Sequence, residues 1–153
     1  MFIENGRYLM SQFRDILEEE EASLVRINGN ELQINEILLI EKLFDILADE
    51  KNTSSQLAKV LKITPSAIST MLNKLEKKGY IERHHDNTDR RKVYIIPIGK
   101  SKEVKDNCTK YYNSMTQNIQ RDNSNDKILV LKKVLDSIEE SIKQGGSKLW
   151  KQN

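Results

Sequence analysis

Thr53-Ser54-Ser55-Gln56-Leu57-Ala58, then Ile63-Thr64-Pro65-Ser66-Ala67-Ile68-Ser69, then Leu72-Asn73-Lys74-Leu75-Glu76-Lys77-Lys78-Gly79-Tyr80-Ile81-Glu82-Arg83, decide the fold of this chain. Thr53 and Gln56 have the spacing of a capping box, with a hydroxyl at the N-cap and an amide three residues on. Leu57, Ala58 and Leu61 give the helix that follows a short apolar face. Lys62-Ile63-Thr64-Pro65 limits it to about nine residues, because proline cannot continue a helix. Pro65 suits the first position of the next helix, where its missing N–H costs nothing, and Thr64 supplies the cap. That helix is expected over residues 65–78 and stops at Gly79. The period then changes. Tyr80-Ile81-Glu82-Arg83 and Val93-Tyr94-Ile95-Ile96 are aromatic and β-branched, and the polar cluster His84-His85-Asp86-Asn87-Thr88-Asp89-Arg90-Arg91 lies between them. This reads as a β-hairpin with a charged tip, ended by Pro97 and Gly99.

Two short helices joined by a tight turn, followed by a basic hairpin, form the plan of a winged helix-turn-helix. The second helix supports this. At about 100° per residue, Ser66, Ser69, Thr70, Asn73 and Lys77 fall within about 60° of one line, whereas Ile68, Met71, Leu72 and Leu75 fall opposite. Any surface helix has a polar face. A face of Ser, Thr and Asn is less usual, since these are poor helix formers. Small hydrogen-bonding side chains admit close approach to a major groove and can meet base edges or phosphates.

Outward from this centre the chain reads as helical. Leu9, Phe13, Ile16 and Leu17 recur at helical spacing, followed by Leu24, Val25 and Ile27, until Gly29 and Asn30 break the pattern. A second helix is expected over residues 34–48, with Ile37, Ile40, Leu43, Phe44 and Leu47 as its apolar stripe. Beyond the hairpin, helices are expected over residues 100–121 and 125–143. Ile128, Leu131, Leu135, Ile138 and Ile142 line the last, Gly145-Gly146 ends it, and the tail with Trp150 is expected to be loosely ordered. The fold class is therefore mainly α with a small β-hairpin wing. The expected divisions are an N-terminal dimerisation helix (1–33), a winged helix-turn-helix lobe (34–97, with the helix-turn-helix at 53–78 and the wing at 80–97) and C-terminal dimerisation helices (98–153).

The chain has 153 residues and a net charge of only +2, but the charge is unevenly spread. Lys/Arg stand against Asp/Glu as 4 to 12 in residues 1–50, 11 to 4 in residues 51–100 and 10 to 7 in residues 101–153. Basic charge is concentrated in the segment that holds the two short helices and the hairpin, as binding to phosphate requires.

These segments resemble the MarR family of transcription regulators, strongly over residues 53–96. Asp89-Arg90-Arg91 matches the family's wing-tip Asp-x-Arg pair through Asp89 and Arg91. The resemblance implies a triangular homodimer with interlocking N- and C-terminal helices, each subunit offering one winged helix-turn-helix to half of a near-palindrome. It also implies a ligand-responsive repressor. Asp89 would orient Arg91, and Arg91 or Arg90 would enter the minor groove, where narrow A·T tracts carry the strongest negative potential. The candidate DNA-contacting residues are then Thr64, Ser66, Ser69, Thr70, Asn73, Lys74, Lys77, Asp89, Arg90 and Arg91. The family often follows its wing with Leu-Thr-x-x-Gly; Pro97-Ile98-Gly99-Lys100-Ser101 departs from that at the start of the next helix. The resemblance further suggests a small-molecule effector pocket between the dimerisation helices and the DNA-reading lobe, with Met10, Phe13, Phe44, Tyr111, Tyr112 and Met115 as candidate lining. Ordinary core packing is the competing expectation for each of these six.

Other chemistry is weakly signalled. There is no phosphate-cradling glycine loop, no Gly-x-Ser-x-Gly and no His-Glu-x-x-His, so no enzyme, cofactor or metal is expected. The two histidines, His84 and His85, are adjacent and would face opposite sides of a strand. Cys108 is the single cysteine. Lys105 and Lys110 would lower its pKa, but a packed, inert thiol is the stronger expectation. No run of about 18 apolar residues suggests a membrane span. Met1-Phe2-Ile3 leads into Glu4-Asn5-Gly6, not into a basic-then-apolar signal, which points to the cytoplasm. Two functional classes fit: a dimeric regulator binding double-stranded DNA, or a helical winged-helix module mediating protein contacts. The basic middle and the Asp-Arg-Arg wing favour the first.

Overall fold

The computed structural model describes residues 6–46 and 52–150. Six helices and one hairpin follow in the order α1 (Gly6–Ile27), α2 (Ile34–Ile46), α3 (Ser54–Leu61), α4 (Pro65–Lys77), β1 (Ile81–His85), β2 (Val93–Pro97), α5 (Gly99–Asp122) and α6 (Asn125–Trp150). The chain divides after Tyr111 into two compact units. Leu47 and Ala48, expected to complete the second helix, lie outside the described residues.

The first unit is held by the elements that the opening stretch anticipated. The Thr53 hydroxyl accepts from the Gln56 N–H at 3.3 Å, and the Gln56 side-chain oxygen accepts from the Thr53 N–H at 2.9 Å, closing the capping box. Lys62 turns the chain at φ +55°, and the Ile63 N–H donates to the Ala58 carbonyl at 3.0 Å. Thr64 then caps α4 through the Ala67 N–H at 3.2 Å, with Pro65 in the first turn. Gly79 takes φ +75° just past α4, and the Tyr80 N–H returns to the Leu75 carbonyl at 2.9 Å. A side chain would resist that left-handed turn, so glycine belongs there.

Leu39, Ile40 and Leu43 of α2, Leu57 of α3, Ile68, Leu72 and Leu75 of α4, Ile81 of β1 and Ile95 of β2 are all at most 1% exposed and form the core of the lobe. Met71, expected on the apolar back of α4, is only half-buried. β1 and β2 pair antiparallel, with Ile81 opposite Pro97 and His85 opposite Val93. The strand therefore runs through both histidines, which the polar composition had suggested were part of the turn. Backbone pairing satisfies a hairpin whatever its side chains, provided that they face water. Thr53 bridges to Tyr94, and the Ile95 N–H donates to the Asn52 carbonyl at 2.8 Å, so the start of α3 rests on the wing.

The end of α4 is tied to the turn between α1 and α2. Lys78 Nζ donates to the Glu31 carbonyl at 2.9 Å and to Glu36 Oε2 at 3.1 Å. Glu36 is 3% exposed and also accepts from the Gln33 N–H at 2.9 Å, which accounts for a carboxylate inside the lobe. The departure at Pro97-Ile98-Gly99-Lys100-Ser101 does not delay α5. The Ser101 N–H donates to the Ile98 carbonyl at 2.7 Å, and its buried hydroxyl donates to the Tyr80 carbonyl at 2.6 Å.

In the second unit α6 continues through Gly145 and Gly146 to Trp150, past the end expected at residue 143. Glycine lowers helix stability by about 1 kcal/mol relative to alanine but keeps its N–H, so two glycines weaken a helix without forbidding it. Leu129, Val130, Leu131, Val134, Leu135 and Ile142 are 41–58% exposed. In the first unit, Tyr8, Ile16 and Leu17 of α1 are 59–65% exposed.

Candidate nucleic-acid interface

The front of α4 is as open as its sequence predicts. Thr64, Ser66, Ser69, Thr70, Asn73, Lys74 and Lys77 are all exposed, and Ile68, Leu72 and Leu75 are buried behind them. Thr64 is partly committed, because its hydroxyl oxygen caps the helix. Asn73 is also engaged. Its Oδ1 accepts from Arg83 Nη2 at 2.8 Å, and Arg83 Nη1 pairs with the Glu76 carboxylate. Arg83 lies on β1, so this triad joins the front of α4 directly to the wing. Nothing in the spacing of Asn73, Glu76 and Arg83 announced it, since the contact depends on how a strand returns beside a helix.

Asp86 organises the wing tip. Its Oδ1 accepts from the Thr88 N–H at 2.8 Å, the Thr88 hydroxyl at 2.5 Å and the Asp89 N–H at 3.0 Å, while Oδ2 accepts from the Tyr94 hydroxyl at 3.1 Å. The Asp-x-Thr spacing is that of an Asx turn, a signal present in the sequence. Asp89 accepts from both the Arg91 N–H at 3.1 Å and Arg91 Nε at 3.2 Å. The Arg91 side chain is nevertheless 92% exposed against 32% for Asp89, so the carboxylate steers a guanidinium that still projects into solvent. Arg90 is exposed, and its carbonyl accepts from His85 Nδ1 at 3.0 Å. His84 instead pairs with Glu82 at 3.1 Å, so the two histidines serve separate partners.

Asp86→Ala removes a carboxylate that orders three donors within the turn. Hydrogen bonds to a charged group contribute about 1.5–3 kcal/mol each, less where water competes. Amide exchange at Thr88 and Asp89 should rise at least about tenfold while exchange in α3 and α4 stays unchanged, the lower bound corresponding to removal of one such bond. Unchanged exchange at the tip would show that the turn holds without Asp86.

The remaining candidates come from three helices. Met10 and Phe13 lie on α1, Phe44 on α2, and Tyr111, Tyr112 and Met115 on α5. Met10 and Met115 are 37% and 39% exposed, and the others are half-buried. Phe13 lines a shallow hollow together with Leu9, Gln12, Asp15 and Ile16, all from α1. Cys108 is fully buried. Burial pushes its thiol pKa up, Glu41 adds to this, and the smaller opposing effects of the Asn28 hydrogen bond and Lys105 do not reverse it. The sequence neighbours Lys105 and Lys110 therefore do not produce a thiolate. Among the described residues, no helix is long and apolar enough to cross a membrane.

Known proteins match the segment that holds this face and share the fold. The sequence model of the MarR family matches residues 41–93. The HTH-type transcriptional regulator YcgE of Bacillus subtilis (strain 168) is 36% identical over 55 residues, which are 35% of this chain and 36% of that protein. The chain spans about a third of the length of the curated relatives it matches. Among solved structures, FabT of Streptococcus pneumoniae in complex with DNA is similar at a TM-score of 0.74 and 29% identity, over 90% of this chain and 94% of that one. MepR of S. aureus, in its complex with DNA, shares the fold at a TM-score of 0.70 and 20% identity, over 90% and 98% of the two chains.

Proposed function

We propose that the chain, whose residues 41–93 match the sequence model of the MarR family, is a sequence-specific regulator that binds double-stranded DNA as a homodimer on a near-palindromic operator. The observation that carries this reading is the join between α4 and the wing. Asn73 on the exposed front of α4 is bonded to Arg83 of β1, so the helix that would enter the major groove and the strand leading to Arg90 and Arg91 form one surface. This surface lies in the segment with the excess of basic charge. Similarity to FabT, whose structure contains DNA, supports the same partner.

Dimerisation has separate support. One recognition helix reads only a few base pairs, and two half-sites about one turn, roughly 34 Å, apart require two lobes. The apolar side chains exposed on α1 and on α6 are the material for such an interface. Action as a repressor released by a small effector rests on the family resemblance alone.

The test is a salt titration on a duplex selected from a random pool, run on the wild type and on a variant carrying Arg90→Ala and Arg91→Ala. Both side chains are exposed, so stability should change by no more than about 0.5 kcal/mol. Affinity should fall, and the slope of log K against log salt should shrink by about 0.9 for each phosphate that is no longer neutralised. Equal affinity and slope in the folded variant would remove the wing from the interface. Absence of salt-dependent duplex binding in the wild type would overturn the DNA reading and leave the protein-contact module.

A further inference from the structure

Asn73 has an unusual constraint for a residue on the open face of a recognition helix. A free asparagine can present either end of its amide, which makes it a good partner for adenine: Oδ1 accepts from N6 while Nδ2 donates to N7. Here Oδ1 is engaged by Arg83 Nη2 at 2.8 Å. The direction of that hydrogen bond is fixed, because a guanidinium has five donors and no acceptor, so the amide must turn its oxygen toward it. Arg83 is in turn held by Glu76, three residues from Asn73 on the same helix, and its side chain is only 28% exposed. The nitrogen end, with two N–H donors, remains for a ligand.

Resting on the reading of α4 as the helix that enters the major groove, we propose that Arg83 is a specificity-determining positioning residue, which pins Asn73 as a donor and directs it to guanine. Guanine offers two adjacent acceptors, O6 and N7, to the two Nδ2 hydrogens. Adenine offers N7 beside an amino group, and that donor would meet an amide whose oxygen is turned away and a guanidinium that repels it. The cationic partner on Oδ1 also polarises the amide and strengthens its N–H donors. Glu76 matters because it keeps Arg83 on the protein; without that pairing the guanidinium would be drawn to the nearest phosphate. Arg83 need not touch DNA at all.

The experiment measures base preference at each position of the selected duplex for the wild type, Arg83→Met, Arg83→Lys, Asn73→Ala and the Asn73→Ala/Arg83→Met double variant. The wild type should prefer guanine over adenine at one position per half-site by at least about fivefold, the lower end of the discrimination given by a good base contact. Replacing that guanine with 7-deazaguanine should weaken binding. Arg83→Met keeps the aliphatic stem but removes the donors, so the preference at that position should fall below about twofold, with preferences elsewhere retained. Arg83→Lys should keep it, since an ammonium still donates to Oδ1. Asn73→Ala should abolish it, and adding Arg83→Met should change nothing further there, because the two residues act as one unit. An equal loss at every position in Arg83→Met, or adenine as the wild-type choice at the Asn73-dependent position, would overturn the proposal. Specific binding that ignores Asn73 would do the same while leaving the DNA reading intact. A wild type with no salt-dependent duplex binding would overturn both.

Discussion

A variant carrying Leu131→Asp and Leu135→Asp is expected to be a folded monomer that has lost operator binding. The two leucines are 53% and 41% exposed in the single chain, so their replacement removes little from its own packing. In a dimer they would be covered. A buried leucine contributes about 1.5–3 kcal/mol relative to an exposed one, and a carboxylate in the same place would have to be desolvated without a partner. With both copies altered, the dimer dissociation constant should rise at least about 1,000-fold, corresponding to roughly 4 kcal/mol. Operator affinity should fall by a similar factor, since specific complexes typically exceed non-specific ones by about 1,000-fold or more. Sedimentation and duplex titration at micromolar protein measure the two effects. A variant that stays dimeric would show that α6 does not form the interface.

Opposite faces of α4 should give opposite phenotypes. Leu72 is fully buried, and Leu72→Ala is expected to cost about 2–5 kcal/mol through reduced burial and the cavity left behind. That is a large share of a total near 5–15 kcal/mol, and melting should fall by roughly 5–15 °C. Ser69, three residues earlier, is exposed. Ser69→Ala should leave stability within about 0.5 kcal/mol. It should nevertheless weaken binding to the selected duplex, by up to about 1–3 kcal/mol if the hydroxyl meets a base, and affect random duplex less. Lys77→Ala, at the helix end, should weaken both duplexes alike, as expected for a phosphate contact. Thermal melts alongside two titrations separate the three. A Ser69→Ala variant that melts like Leu72→Ala would invalidate the assignment of faces.

The parts of this molecule visible in the sequence are those governed by local rules. Thr53 with Gln56, Thr64 with Pro65, and Gly79 mark helix ends because capping and left-handed turns depend on a few neighbouring residues. The two faces of α4 were legible because a helix has a fixed period. Asp86 is legible through its spacing to Thr88, which is that of an Asx turn. What composition misjudged was where two elements end, because backbone pairing continues past polar side chains and glycines. β1 runs on through His84 and His85, and α6 runs on through Gly145 and Gly146, although both stretches look like breaks. Contacts between distant elements left no local trace. Arg83 bonded to Asn73, and Lys78 bonded to Glu36, require the helix, the strand and the α1–α2 turn to be already in place. Cys108 is the packed thiol that the sequence reading favoured: burial and Glu41 raise its pKa, against the smaller effect of its neighbour Lys105.

In the proposed complex, two copies of this chain each place α4 in the major groove of one duplex. The most direct measurement is the mass of the complex formed on the duplex selected from a random pool, read together with the symmetry of the selected sequence. Two chains per duplex are expected, on an inverted repeat whose halves are centred about one helical turn, roughly 10–10.5 base pairs, apart. One chain per duplex on a site without an inverted repeat would contradict it.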